Sequence, residues 1–136
     1  MSAFEWPVRI YYEDTDAGGV VYYANYLRYL ERARTEWLRS LGFDQEALVR
    51  EAGILFAVRH VEIDYLAPAR LDDELRVEAA IDKSSKVSLT FAQRILRGAD
   101  TVLCMASVKV VCLDSERFRP TAIPGFISEK VSHAQY

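Results

Sequence analysis

A chain of 136 residues, 51% hydrophobic and 27% charged, has the balance of an ordinary globular protein with one domain over residues 1–136. Its formal charge of −3 argues against a generic nucleic-acid binder, and no apolar run approaches the ~20 residues of a membrane span. Met1-Ser2-Ala3-Phe4-Glu5-Trp6-Pro7 lacks the basic flank and apolar core of a secretory signal. Cys104 and Cys112 are spaced for neither a metal site nor a redox pair, so a reduced, cytoplasmic protein is expected.

In chain order, Val8-Arg9-Ile10-Tyr11-Tyr12 reads as a strand that ends at an acidic, glycine-bearing turn, Glu13 to Gly19. From Asn25 the period changes. Tyr26, Leu27, Leu30, Ala33, Trp37, Leu38 and Leu41 fall on one helical face, with Asn25 as the expected cap and Gly42 as the left-handed close. Asp44 to Glu51 predicts a second, short helix capped by Asp44 and stopped by Gly53. Ile54–Tyr65 then reads as a strand, and Leu66–Asp73 as a connection, since Pro68 cannot sit in a central ladder. Leu75, Val77, Ala79 and Ile81 alternate with polar residues as in a half-buried strand. Lys83–Lys86 is a hairpin turn into a strand from Val87 to Ile95. Thr101–Leu113 is apolar at both phases of the period, as an interior strand is, and Pro124 opens a short terminal helix. The last four strands are expected in hairpin succession, wrapped around the one long helix as an α+β domain. Apolar sheet surface left over favours a homodimer or homotetramer.

Asp16 stands between that first strand and Gly18-Gly19, with a long helix starting just beyond. Asp before Gly-Gly is a common turn former. Aromatic and β-branched residues (Tyr11, Tyr12, Val20, Val21, Tyr22, Tyr23) crowd both flanks, however, and the helix start supplies positive charge for an anion. A carboxylate beside oriented N–H groups can attack an acyl carbon and hold the oxyanion that forms. Asp14 and Asp16 also mimic the start of a calcium loop, but Asn25 stands where its bidentate Glu is needed, so no metal is expected. There is no Gly-x-Ser-x-Gly, phosphate-binding glycine loop or His-Glu-x-x-His. His60 and His133 read as structural or exposed, and Cys104 and Cys112 as small core residues.

The segment Asp16-Ala17-Gly18-Gly19-Val20-Val21-Tyr22-Tyr23-Ala24-Asn25-Tyr26 is similar to the active-site signature of 4-hydroxybenzoyl-CoA thioesterase-type hotdog enzymes. The wider match resembles the Tol–Pal-associated acyl-CoA thioesterases. It runs through Trp6-Pro7-Val8-Arg9, Tyr12 to Asp16, Glu31-Arg32-Ala33-Arg34-Thr35-Glu36 and Ala67-Pro68-Ala69-Arg70-Leu71-Asp72-Asp73. The resemblance implies the hotdog fold, a long helix wrapped by an antiparallel sheet, assembled as a dimer or tetramer. By position it makes Asp16 the catalytic carboxylate and the Tyr23 N–H the group that polarises the thioester carbonyl. It sets Gly19, Val20 and Asn25 along the substrate, and offers Lys86 to the coenzyme A phosphates. Tol–Pal-associated members often carry His where this chain has Tyr23, so acyl preference does not transfer.

The expected reaction is cofactor-free hydrolysis of an acyl-CoA, or of an acyl group on acyl carrier protein. Asp16 serves either as nucleophile or as general base for water. A non-hydrolytic module that docks acyl carrier protein or an envelope partner is the alternative. A hotdog dehydratase ranks below both, since it wants a His in the acidic turn.

Overall fold

The computed structural model describes residues 3–134, in which runs of alternating or β-branched residues form five strands and periodic runs form three helices. In order these are β1 (Phe4–Arg9), a single 3-10 turn (Tyr12–Asp14), α1 (Asn25–Ser40), α2 (Gln45–Ala52), β2 (Ile54–Tyr65), β3 (Glu74–Ser84), β4 (Ser88–Arg97), β5 (Thr101–Asp114) and α3 (Gly125–Ser132). All strand pairs are antiparallel, and the sheet runs β1-β3-β4-β5-β2.

Two expectations about the sheet need correction. The first strand lies earlier than residues 8–12, and Pro7 is tolerated in it because β1 is a sheet edge with only β3 as neighbour. Nor does β2 form a hairpin with β3. The Leu66–Asp73 link carries the chain across the sheet, so β2 becomes the other edge, paired with β5 alone. As an edge with a register shift between Val58 and His60, β2 keeps Val58, Val61 and Tyr65 exposed. The interior position of β5, between β4 and β2, is as expected from its two-sided apolar pattern.

Helix α1 lies across the sheet and packs mainly on β1 and β3. Its buried stripe is Tyr26, Tyr29, Leu30, Ala33, Trp37 and Leu38. Tyr29 replaces Leu27, which is exposed, because positions 26, 29/30, 33 and 37 follow the 3.6-residue period and position 27 lies a quarter turn away. Trp37 meets Phe91 of β4 edge-to-face at 5.1 Å between centroids. A polar side chain ties the helix to the sheet in this core. Gln93 of β4 is buried, donates to the carbonyls of Leu30 (3.1 Å) and Glu78 (3.2 Å), and accepts from Arg34 (3.0 Å). Asp44 caps α2 as expected, its Oδ1 accepting from Ala47 N–H at 2.8 Å.

Candidate active site

The acidic turn is a miniature ladder. Asp16 N–H donates to Val20 C=O (2.9 Å), Thr15 bridges Val21, and Tyr22 N–H donates to Asp14 C=O (3.0 Å). On its other side the same short run bridges the β2–β3 link, through Val20 with Arg70 and Val21 N–H to Ala69 C=O (2.9 Å). The link that removes β2 from a hairpin therefore doubles as a brace for the turn.

Asp16 is exposed at the tip. Its Oδ1 accepts from Gly18 N–H at 2.8 Å, and its C=O accepts from Gly19 N–H at 3.0 Å. Both glycines are there for a reason. A Cβ on Gly18 would sit 3.2 Å from Asp16 Oδ1, and Gly19 turns the chain at φ +79°, where a side chain is strained. The carboxylate is thus fixed by backbone on one side and open on the other.

Five residues past Val20 the chain enters α1. Asn25 was expected to cap it. The capping position is instead Ala24, in helical conformation and with no side-chain hydrogen bond. Asn25 is the first helical residue, and its Nδ2 turns back to donate to Asp14 C=O at 2.9 Å. The turn into the helix is closed by backbone bonds from Asn25 N–H to Tyr22 C=O (2.8 Å) and Leu27 N–H to Ala24 C=O (3.2 Å). Among the described residues, the N–H groups of Tyr23 and Ala24 donate to no protein acceptor. A 16-residue helix thus presents unused donors at its positive end, on the same segment as Asp16.

Aromatic rings line this corner. Tyr23 packs against Tyr22 (5.1 Å between centroids) and edge-on against Tyr65 at the end of β2 (6.0 Å), all three partly exposed. Beneath them Tyr26 is buried, its hydroxyl accepting Ala69 N–H at 3.0 Å, and burial raises that hydroxyl's pKa. The fully buried Tyr29 hydroxyl finds no acceptor in hydrogen-bonding geometry. Burial first, then the nearby Asp14 carboxylate, push its pKa well above the phenol range.

One cavity borders the site and a second lies away from it. A cleft of about 290 Å³ between β1 and the turn is lined by Arg9, Tyr11, Glu13, Asp14 and Arg32. The other space, about 240 Å³, lies further along α1 and is lined by Glu31, Arg34, Trp37, Phe56 and Phe91 among others. No acidic-turn residue lines it. Burial lowers the pKa of the Arg34 guanidinium there to about 10, against the opposing pull of Glu31.

Of the residues singled out in the sequence, Asp16, Gly19, Val20, Tyr23 and Asn25 share this corner. Lys86 does not. It sits in the exposed β3–β4 turn, beyond the end of a strand whose start, Glu74, adjoins the acidic turn. Eleven residues of β3 put about 35 Å between the two ends. His60 is exposed near Glu62, while Cys104 and Cys112 are buried on β5 as small core residues. Tyr29, Arg34 and Gln93 are polar groups of the interior that the sequence did not single out. Their signal was a polar residue in register with a buried stripe, which solvated positions share.

The model for the thioesterase-like superfamily matches residues 11–131. The chain belongs to that superfamily. An acyl-CoA thioester hydrolase of Escherichia coli O6:H1, YbgC, is 51% identical over 121 residues, covering 89% of this chain and 90% of the relative. The acyl-CoA thioesterase YbgC of Haemophilus influenzae is 45% identical, covering 97% and 96%. A probable thioesterase of Bartonella henselae superposes with a TM-score of 0.85 at 34% identity, over 90% of this chain and all of that one. The α+β hotdog architecture expected of a thioesterase-superfamily enzyme is therefore the one found. No helix among the described residues is long and apolar enough to cross a membrane.

Proposed function

We propose that this superfamily member hydrolyses acyl-CoA thioesters to the free acid and CoA. The supporting observation is a single one: an exposed carboxylate pinned by Gly18 N–H and the unused Tyr23 and Ala24 donors occupy one braced segment at the start of α1. Three residues of chain separate the Asp16–Val20 rung from Tyr23, a reach of at most about 10 Å. An attack distance of about 3 Å and an oxyanion hydrogen bond of about 3 Å fit within that span once Asp16 reaches inward. Asp16 either attacks the carbonyl, expelling the CoA thiolate to give an anhydride that water then opens, or takes the proton from an attacking water whose addition leads to expulsion of the thiolate. Tyr23 N–H, with the α1 dipole behind it, receives the oxyanion, and such a donor is worth about 3–4 kcal/mol. Gly19 and Val20 border the path of the thioester.

The substrate's far parts favour a second copy of the chain. Edge strand β2 has one free side, and pairing two β2 strands antiparallel about a two-fold axis would set the C-terminal end of one beside the N-terminal end of the other. The N-terminal end of β2 lies near Lys86, because Phe56 pairs with Cys112, whose N–H donates to Val87 C=O. Lys86 of a second copy, remote from the acidic turn within its own chain, would then approach this chain's turn and the CoA phosphates. A homodimer is thus the smallest assembly that completes the site, and pairs of dimers are compatible with it. A cytoplasmic setting, where acyl-CoA is found, suits this chemistry.

Thiol release across short, long and aromatic acyl-CoAs, run on wild type and on Asp16→Asn, tests the proposal. The expected result is turnover of at least one thioester, with kcat reduced by roughly three orders of magnitude or more in the variant and Tm unchanged. Near wild-type kcat in Asp16→Asn, or binding of acyl-CoA without thiol release by wild type, would overturn it; the second result describes a non-hydrolytic binding module.

A further inference from the structure

Asp16 is exposed, and its side chain is held within the chain through Gly18 N–H, so its placement is inherited from the backbone of residues 14–16. That backbone is anchored at Asp14. The half-buried Asp14 carboxylate accepts Tyr11 N–H at 2.8 Å, and its N–H donates to Tyr11 C=O at 3.0 Å. Its carbonyl oxygen accepts twice, from Tyr22 N–H (3.0 Å) and from Asn25 Nδ2 (2.9 Å). The first bond closes the far rung of the acidic ladder. The second comes from α1 itself and joins that rung to the helix start.

The direction of the Asn25 side chain matters as much as its partner. An Asn that caps a helix turns its oxygen onto N–H groups of the first turn. Asn25 instead points its amide donor away from the helix and across the ladder, which leaves the donors just before it uncovered.

We propose that Asn25 is a positioning residue. It acts on Asp16 through the Asp14 carbonyl, holding the carboxylate and the Tyr23 N–H at a fixed separation, without itself touching substrate. This rests on the assignment of Asp16 and Tyr23 given above. Without the amide, the end of the ladder is held to the helix by backbone bonds alone, and Asp16 and Tyr23 shift relative to each other. A displacement of about 1 Å between reacting groups costs on the order of 10²-fold in rate.

The test compares kcat and KM of wild type, Asn25→Leu and Asn25→Asp on the acyl-CoA that wild type turns over best, with Tm recorded for each. Asn25→Leu keeps the volume and loses the donor. Its kcat should fall about 10- to 100-fold, with KM within about twofold of wild type. Asn25→Asp carries the critical signature. Ionised, it sets an acceptor against the Asp14 carbonyl; protonated, its O–H donates to that carbonyl as Asn25 does. The ratio of its kcat to wild type should therefore climb as pH drops towards about 4, a recovery that a purely structural role would not produce at temperatures well below Tm.

A raised KM with kcat retained in Asn25→Leu would make Asn25 a substrate contact and overturn the proposal. Wild-type kinetics in Asn25→Leu would overturn it too. Should Asn25→Leu not fold, the Asn25→Asp pH series decides alone, and a flat kcat ratio refutes the role. Failure of the underlying assignment looks different: Asp16→Asn would then turn over as fast as wild type, whereas failure of this inference leaves Asp16→Asn inactive and Asn25→Leu unimpaired.

Discussion

Gly18 shows how much depends on one missing atom. Its N–H binds Asp16 Oδ1 at 2.8 Å, and a Cβ at this position would approach that oxygen to 3.2 Å. Its φ is not in the left-handed region, so the backbone itself accepts alanine. In Gly18→Ala the carboxylate must therefore rotate or the turn must give way. We expect kcat to fall on the order of 10-fold or more with Tm within a degree or two of wild type, measured by thiol release and thermal melting. The Cys104 thiol illustrates the opposite environment. Full burial pushes its pKa from 9.0 to about 12. Between those values the native protein keeps a proton that the unfolded chain releases, so stability falls as pH rises from about 9 towards 12. Denaturant melts over that range should lose less stability in Cys104→Val than in wild type, and an unchanged alkaline slope would count against this origin.

Among the elements, α1 carries the most consequence because it both fills the core and presents the site. Its first turn is attached to the β2–β3 link through the buried bond from Ala69 N–H to the Tyr26 hydroxyl, at 3.0 Å. Tyr26→Phe keeps the ring and leaves the Ala69 N–H without its partner inside the protein. The expected cost is about 1–3 kcal/mol in denaturant unfolding, since an orphaned buried donor loses its full desolvation energy. Because Ala69 and Arg70 brace Val21 and Val20, the same substitution should also lower kcat, which separates this bond from an ordinary core contact. The β2–β3 link was legible as a non-strand from Pro68. Its function as a brace was not, since that depends on the crossing that brings residues 69 and 70 beside residues 20 and 21.

For the molecule as a whole, the two sheet edges have different fates. Pro7 in β1 removes an edge donor and blunts that side against further pairing. The twelve-residue β2 has no proline and exposes Val58 and Val61, so it is the side open to a second copy. Light scattering on the wild type should give a dimer or a multiple of it. Val61→Pro, which disturbs the free edge, should yield monomer with impaired turnover of acyl-CoA. Monomeric wild type with full activity would remove any need for Lys86 of a second copy.

The local signals in the sequence determined a good deal. Helix α1 and its end, α2 with its Asp44 cap, the interior character of β5 and the acidic turn with Asp16 were all readable, because period, capping chemistry and glycine placement are properties of neighbouring residues. The resemblance carried the antiparallel hotdog architecture. Tertiary structure alone decided that β2 crosses to pair with β5, that Asn25 reaches back to Asp14 instead of capping its helix, and that Lys86 lies beyond the end of β3 remote from its own acidic turn. Each of these depends on which distant segments meet. Strand pairing and side-chain donors are satisfied by any partner of suitable geometry, and sequence spacing does not specify which one is within reach.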